Sequence, residues 1–265
     1  MIEISTHDGV TCVRGRTPSK NITNVVYVFL FDGMLVDTAS RNLQNDLIPF
    51  YQSNRFDQVV LTHTHEDHIG TASWIENHAE VPLYVHPDSV DDCKQPPNYP
   101  KYRQLAWGIY EPFSAFPLGN TVESRNHTWQ VIETPGHAKD HVVLLNKETG
   151  RLFSGDLFLT PKPKAIMKSE SIPPLMESIR NVLRYDFRSM YCNHAGYLPE
   201  GKKMLNMKLQ YLEDVSGNIL RLHEKGYTIP EINKTLFPKV YPIIETSDHE
   251  FDSEHIVRSV IEGHS

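Results

Sequence analysis

Cysteine is scarce in this chain: Cys12, Cys93 and Cys192 are the only three, an odd number without metal-type pairing. A disulfide framework is therefore disfavoured, and a reducing compartment is expected. Long apolar runs are missing too. No stretch approaches the ~18 residues that span a bilayer, and the opening MIEISTHDGV carries acids and a histidine where a secretory leader would be basic and then apolar. The expectation is a cytoplasmic protein with no membrane partner. Nor is there an excess of positive charge, since 26 Lys and Arg stand against 33 Asp and Glu, for a formal net charge of −7. The chain as a whole exerts no pull on polyanions, and a nucleic-acid partner is disfavoured. Internal repeats and low-complexity tracts are absent.

What is present is a chain of 265 residues, 39% hydrophobic, enough for one large core or a core with a small appendage. Short β-branched or alternating runs recur as TCVRGR, VVYVFLFD, MLVDT, DQVVLT, VPLYVH, WQVIET, HVVLLN and RLFSGD, each broken by turn residues, as strands are. Within ITNVVYVFLFDGMLVDT, Asp32-Gly33 suits the positive φ of a tight hairpin turn. Helical patterns lie over residues 39–53, over about 70–79 and in PPLMESIRNVLRYD, where Leu175, Ile179, Val182 and Leu183 share one face. After residue 200 the character changes. Leu205, Leu209, Leu212, Val215, Ile219 and Leu222 fall at helical spacing before Gly226. Thr228 with Glu231 forms a capping-box signature, and Ser253 opens a similar helix start.

The most concentrated chemistry is THTHEDHIG, residues 62–70, directly after an apolar run. His63 and His65 sit two apart, so an extended backbone can aim both the same way, while Asp67 and His68 follow where a helix would begin. Imidazole nitrogen with carboxylate oxygen suits zinc, and a catalytic site keeps one position for water. Three later residues of ligand type each follow a strand-like run: His137 after Pro135-Gly136, Asp156 at the end of RLFSGD, and His194 at the end of SMYCNH. Seven candidate ligands result.

This order resembles the metallo-β-lactamase superfamily of dinuclear metallohydrolases, whose pattern His-x-His-x-Asp-His, then His, Asp and His, is met here within residues 1–200. The resemblance implies an α+β fold, a four-layer αβ/βα sandwich over 1–200 with metals at one sheet edge, followed by a small helical C-terminal tail over 201–265. It implies two divalent metal ions, zinc first, with iron or manganese compatible with the same donors. His63, His65 and His137 would surround one ion and Asp67, His68 and His194 the other, with Asp156 bridging. A metal-bridging hydroxide would be the nucleophile, oriented by Asp67. Asp37 matches an early family Asp that buttresses a metal ligand, a role compatible with capping a helix from Thr38. His141 stands between a supporting role and a plain surface histidine.

Departures narrow the chemistry. The commonest dinuclear β-lactamases place Cys where this chain has Asp156, and the family's diiron oxygen reductases carry Glu where it has His65, so both activities are disfavoured. The glyoxalase II, lactonase and ribonuclease Z side of the family remains, and its members share the seven ligands. An ester, thioester or lactone, a small-molecule acyl substrate, is therefore favoured over the alternative, a nuclease or phosphodiesterase, which needs a basic track. The aromatic insertion from Tyr99 to Phe116, with Trp107 and Tyr110, reads either as a pocket wall or as packing onto the core. Lys162, Lys164 and Lys168 read either as a solvated loop or as contacts to a substrate anion. Cys192 reads as core. The tail holds eight Lys or Arg against ten Asp or Glu, which favours a structural cap or a homodimer contact over a nucleic-acid module.

Overall fold

The computed structural model describes residues 1–17 and 24–264. Ile22 and Thr23, at the head of the expected hairpin, and Ser265, at the end of the expected tail, lie outside the described residues. Seven strands form the first sheet in chain order: β1 (Ile2–His7), β2 (Val10–Thr17), β3 (Asn24–Phe31), β4 (Met34–Val36), β5 (Gln58–Val60), β6 (Leu83–Val85) and β7 (Phe116–Pro117). Pairing is antiparallel as far as β4 and parallel from β4 onward. The β3–β4 turn has two residues, as the pairing of Phe31 with Met34 requires, with Asp32 and Gly33 at φ of 50° and 81°. These are the positive angles of the turn type that matches strand twist.

The second sheet contains β8 (Thr121–Glu123), β9 (Thr128–Glu133), β10 (Val142–Asn146) and β11 (Arg151–Gly155). It is completed, after the separate short β12 (Ile166–Met167), by β13 (Ser189–Cys192) and β14 (Gly196–Leu198), in the order β14-β13-β11-β10-β9-β8. Phe29, Val36 and Val60 of the first sheet meet Trp129, Phe153 and Tyr191 of the second in a buried layer. Side chains alternate along a strand, so the opposite faces need their own cover. Helices α1 (Gln44–Ser53), α2 (Glu66–Ile69), α3 (Ala72–His78) and α4 (Lys101–Trp107) lie on the first sheet's side of the chain, where Leu47, Phe50 and Ile75 pack with Val59 and Leu61. Helices α5 (Ile172–Leu183) and α6 (Gly201–Glu224), followed by α7 (Ile229–Leu236), α8 (Pro242–Thr246), β15 (Phe251–Asp252) and α9 (Glu254–Glu262), complete the other side. The expected α+β, four-layer αβ/βα arrangement results.

Residues after 200 share the second sheet's core. Leu205, Leu212 and Ile219, one heptad apart and fully buried, join Ile179, Met190 and Ile256 in one cluster. The Thr228–Glu231 capping box forms as expected. At α9 the expectation changes: Ser253 makes no side-chain cap, and Asp252 Oδ1 accepts from the Glu254 N–H at 3.0 Å instead. The helix expected over 39–53 also starts later. Asp37 and Ala39 have φ of 59° and 57°, outside helical space, and a 3₁₀ turn at Arg41–Leu43 precedes α1.

Candidate metal centre

Five strand ends deliver the site. Asp37 follows β4, the His63–His68 loop follows β5, and His137, Asp156 and His194 follow β9, β11 and β13. The Val142 N–H donates to Thr62 O at 2.9 Å and ties the two sheets together beside the loop. His65, extended at φ −68° and ψ 147°, ends that loop before α2 turns Asp67 and His68 back toward it.

All seven candidate ligands converge. His63 Nε2 and His137 Nε2 each lie 3.0 Å from His65 Nδ1. Asp156 Oδ2 is 3.4 Å from His137 Nε2 and 3.1 Å from His194 Nε2, and its Oδ1 is 3.5 Å from His68 Nε2, so this carboxylate sits between the two groups. Asp67 Oδ2 lies 3.2 Å from His194 Nε2. Two of these atoms, His68 Nε2 and Asp156 Oδ1, are buried with no hydrogen-bond partner among the described residues, a condition that costs ~1–3 kcal/mol each. Three imidazole nitrogens also meet there, and with the His137 proton directed to Glu170 only a His63 or His65 N–H is left to serve the group. Divalent cations remove all of these costs together, and this donor set fits them.

The outward atoms are fixed by partners. His68 Nδ1 is 2.8 Å from Asp37 Oδ2, His137 Nδ1 is 3.0 Å from Glu170 Oε2, and His194 Nδ1 is 2.6 Å from Val25 O. Each acceptor keeps a proton on Nδ1, so that Nε2 is the nitrogen each ring offers to an ion at the centre. Asp37, fully buried, also accepts from Thr62 N at 2.7 Å and Thr62 Oγ1 at 2.8 Å. Its carboxylate thus turns inward, and it caps no helix. His141 is fully buried, with Thr134 Oγ1 at 2.7 Å on Nδ1 and the Asp156 N–H donating to Nε2 at 2.9 Å. It supports the backbone of Asp156 and is no surface histidine. Asp140 accepts from Thr64 N at 2.9 Å, Thr64 Oγ1 at 2.7 Å and Ser89 Oγ at 3.0 Å, holding the loop from behind.

Electrostatics separate the rings. Burial and the neighbouring rings push His63 well below the ordinary histidine value, and burial with His137 and Arg103 does the same for His65. Burial opposes charge on His68 and His194 as well, but the Asp156 carboxylate, with Asp67 on both and Asp37 on His68, raises them well above it. Burial disfavours the Asp67 and Asp156 carboxylates, yet His68 and His194 hold both far below the usual carboxylate range.

A cavity of about 500 Å³ opens onto His65, Asp67, His137, Asp156 and His194. Trp107, Ala106, Met167, Ile243 and Phe251 supply carbon walls. Trp107 stands 6.2 Å from His194, ring to ring. Tyr110 is not among the lining residues; its ring stacks on Tyr99 with centroids 5.9 Å apart and packs toward the first sheet's core. Lys164 lies beyond this cavity, against Tyr211, in a neighbouring one. Sequence reasoning missed Glu170, Asp140 and the cavity-lining Arg103, whose guanidinium pairs twice with Glu66 at 2.6 Å. It also missed the tail's contribution of Ile243 and Phe251. Asp140 sits close behind His137 in the sequence, and Glu170 lies well beyond Asp156 with no ligand beside it.

Residues 24–191 match the family described as the metallo-beta-lactamase superfamily, and the chain belongs to that superfamily. It is a metal-dependent hydrolase. It is 24% identical over 310 residues to the probable metallo-hydrolase YqjP of Bacillus subtilis, covering 98% of this chain and 97% of that one. To the atrochrysone carboxyl ACP thioesterase AacuM of Aspergillus aculeatus it is 26% identical over 185 residues, 66% of this chain and 50% of the relative. It also spans about half the length of several other curated relatives. The crystal structure of the metallo-beta-lactamase family protein TTHA1429 from Thermus thermophilus shares the fold, with a TM-score of 0.69, 19% identity and coverage of 96% of this chain and 94% of that chain. No helix among the described residues is long and apolar enough to cross a membrane.

Proposed function

We propose that the protein hydrolyses a carbon-rich ester, thioester or lactone at a pair of divalent ions, zinc in the first instance, held by His63, His65 and His137, by Asp67, His68 and His194, and by Asp156 between them. The observation that carries this reading is the cavity wall. Around the ligand cluster it is mainly hydrocarbon, and Arg103, the one cation among the lining residues described, is committed to Glu66. A phosphodiester backbone would need a charged track. The similarity to a thioesterase supports the same direction.

Such ions, when bound, supply Lewis acidity and bring the pKa of water down toward ~7. The chain's own residues do the rest. Trp107 and Ala106 of α4, with Met167 beside its strand partner Phe251 and with Ile243 of the tail, hold the acyl carbons and exclude water. Asp67, ionised beside His194, accepts a hydrogen bond from the attacking water and orients it. Residues 1–200 thus form the chemical body, and the 201–265 segment completes the pocket and covers the core.

The test is a panel of thioesters, lactones, bis-p-nitrophenyl phosphate and single-stranded RNA on metal-loaded protein, repeated with Trp107→Ala. Acyl hydrolysis with KM raised in the variant and metal content unchanged is expected, since binding energy remote from the reacting bond is what Trp107 supplies. Strong RNA or phosphodiester cleavage with negligible acyl hydrolysis overturns the reading.

A further inference from the structure

Next to the catalytic cavity lies a second one of about 360 Å³, and the two share Asp156, Leu159, Ile243 and Phe251 as a common wall. Leu159 holds φ at 50° there, a backbone region that bulky residues seldom adopt and that clusters at functional sites. The second cavity differs from the first in charge. Lys162, Lys164 and Lys208 line it, against Glu170 and Asp156. Neither acid is free to answer the lysines: Glu170 is used by His137 Nδ1 at 3.0 Å and by the Met167 N–H at 2.8 Å, and Asp156 belongs to the metal centre.

Lys208 is the informative residue. It projects from α6, is only 4% exposed, and donates to Leu157 O and Phe158 O, each at 2.8 Å. An ammonium has three donors, and buried cations are ordinarily matched by an anion. Among the described residues Lys208 makes no ion pair. Burial brings its pKa down to about 8, outweighing the attraction of Glu170 and Asp156. The site therefore holds a positive charge without its complement, on the wall of a cavity otherwise built from carbon such as Pro163, Ile166, Leu175 and Tyr241.

We infer that the second cavity receives an anionic, carbon-bearing arm of the substrate, its carboxylate or phosphate meeting Lys208 at the floor and Lys162 and Lys164 at the exposed rim. The inference rests on the acyl-hydrolase reading and narrows it. The scissile acyl bond lies at the shared wall beside Asp156, with a neutral arm in the first cavity and a charged arm in the second. Carboxylate and phosphate present the same chemistry to three ammonium groups, so the probes must separate them.

The experiment compares two matched substrate pairs on the metal-loaded enzyme. One pair is p-nitrophenyl hydrogen glutarate and its methyl ester, which differ by a carboxylate. The other is acetyl-4′-phosphopantetheine and acetyl-pantetheine, which differ by a phosphate. At least one anionic member should exceed its neutral partner in kcat/KM by about tenfold, the size of a charge-assisted hydrogen bond. Lys162→Gln/Lys164→Gln should erode that preference, and raised salt should weaken it. Lys208→Met should abolish it, with circular dichroism and metal content checking that the variant is folded. The rim variant tests the assignment separately should Lys208→Met not fold. Equal cleavage of both members of each pair, unchanged in the lysine variants, overturns the second-cavity assignment and leaves acyl hydrolysis standing. Failure to cleave any of the four overturns both.

Discussion

Replacing Asp37 with Asn exchanges one carboxylate oxygen for an amide nitrogen in a place with no solvent. The wild-type carboxylate accepts three hydrogen bonds, from Thr62 N at 2.7 Å, Thr62 Oγ1 at 2.8 Å and His68 Nδ1 at 2.8 Å. Asparagine cannot accept all three. If its oxygen keeps the Thr62 N–H, the amide NH₂ faces His68 Nδ1, and the ring must move its proton to Nε2, the nitrogen that faces Asp156 and Asp67. A protonated Nε2 cannot bind a metal. If the amide turns over, a buried Thr62 N–H is left opposing a donor, at ~1–3 kcal/mol. The Thr62 N–H is the donor that cannot turn, so the first arrangement is expected, and the position formed by Asp67, His68 and His194 should weaken ~10- to 100-fold, or roughly 1.4–2.8 kcal/mol. The position formed by His63, His65 and His137 should keep its affinity. Titration of stripped protein against a competing chelator, with elemental analysis at each stage, separates the two. Wild-type affinity at both positions in a folded Asp37→Asn protein would refute the idea that this carboxylate sets the His68 tautomer.

Asp156→Ala should lower metal affinity at both positions together, since that carboxylate lies 3.4 Å from His137 Nε2 and 3.1 Å from His194 Nε2; loss confined to one position argues against a bridge. The metal-free protein should be most stable near pH ~6.5, the ordinary histidine pKa. Below that pH, the lowered His63, His65 and His141 take up protons more readily when unfolded, so stability falls with acid. Above it, the raised His68 and His194 keep protons in the folded state that the unfolded state releases, so their contribution is lost as pH rises toward their raised folded-state values. Denaturant titrations of chelated protein at three pH values check this, and stability that climbs steadily through the window contradicts it. Leu212→Ala, at a fully buried position in α6, should cost ~2–5 kcal/mol in the same assay. A loss under ~1 kcal/mol would show that α6 packs more loosely than its burial indicates.

Legibility from sequence followed distance along the chain. His63, His65, Asp67 and His68 lie within one turn-forming segment, and metal chelation constrains their spacing. The heptad of Leu205, Leu212 and Ile219 was readable because a helix repeats its own face. Glu170 and Asp140 escaped notice because their partners are chosen by packing: Glu170 meets a ring 33 residues away, and Asp140 meets Thr64 across 76 residues. Ser253 misled because an adjacent Asp252 with the same capping chemistry took its place. Asp37 lies against His68, yet the positive φ that turns it inward left no trace in its neighbours.

The tail's part in the pocket sets an order of events during synthesis. A ribosome releases all of the candidate metal ligands, His194 last, before Ile243 and Phe251 exist. Reactivity and selectivity are therefore written at different times, and a nascent or truncated product would hold the donors of a metal centre without the wall that chooses what reaches it.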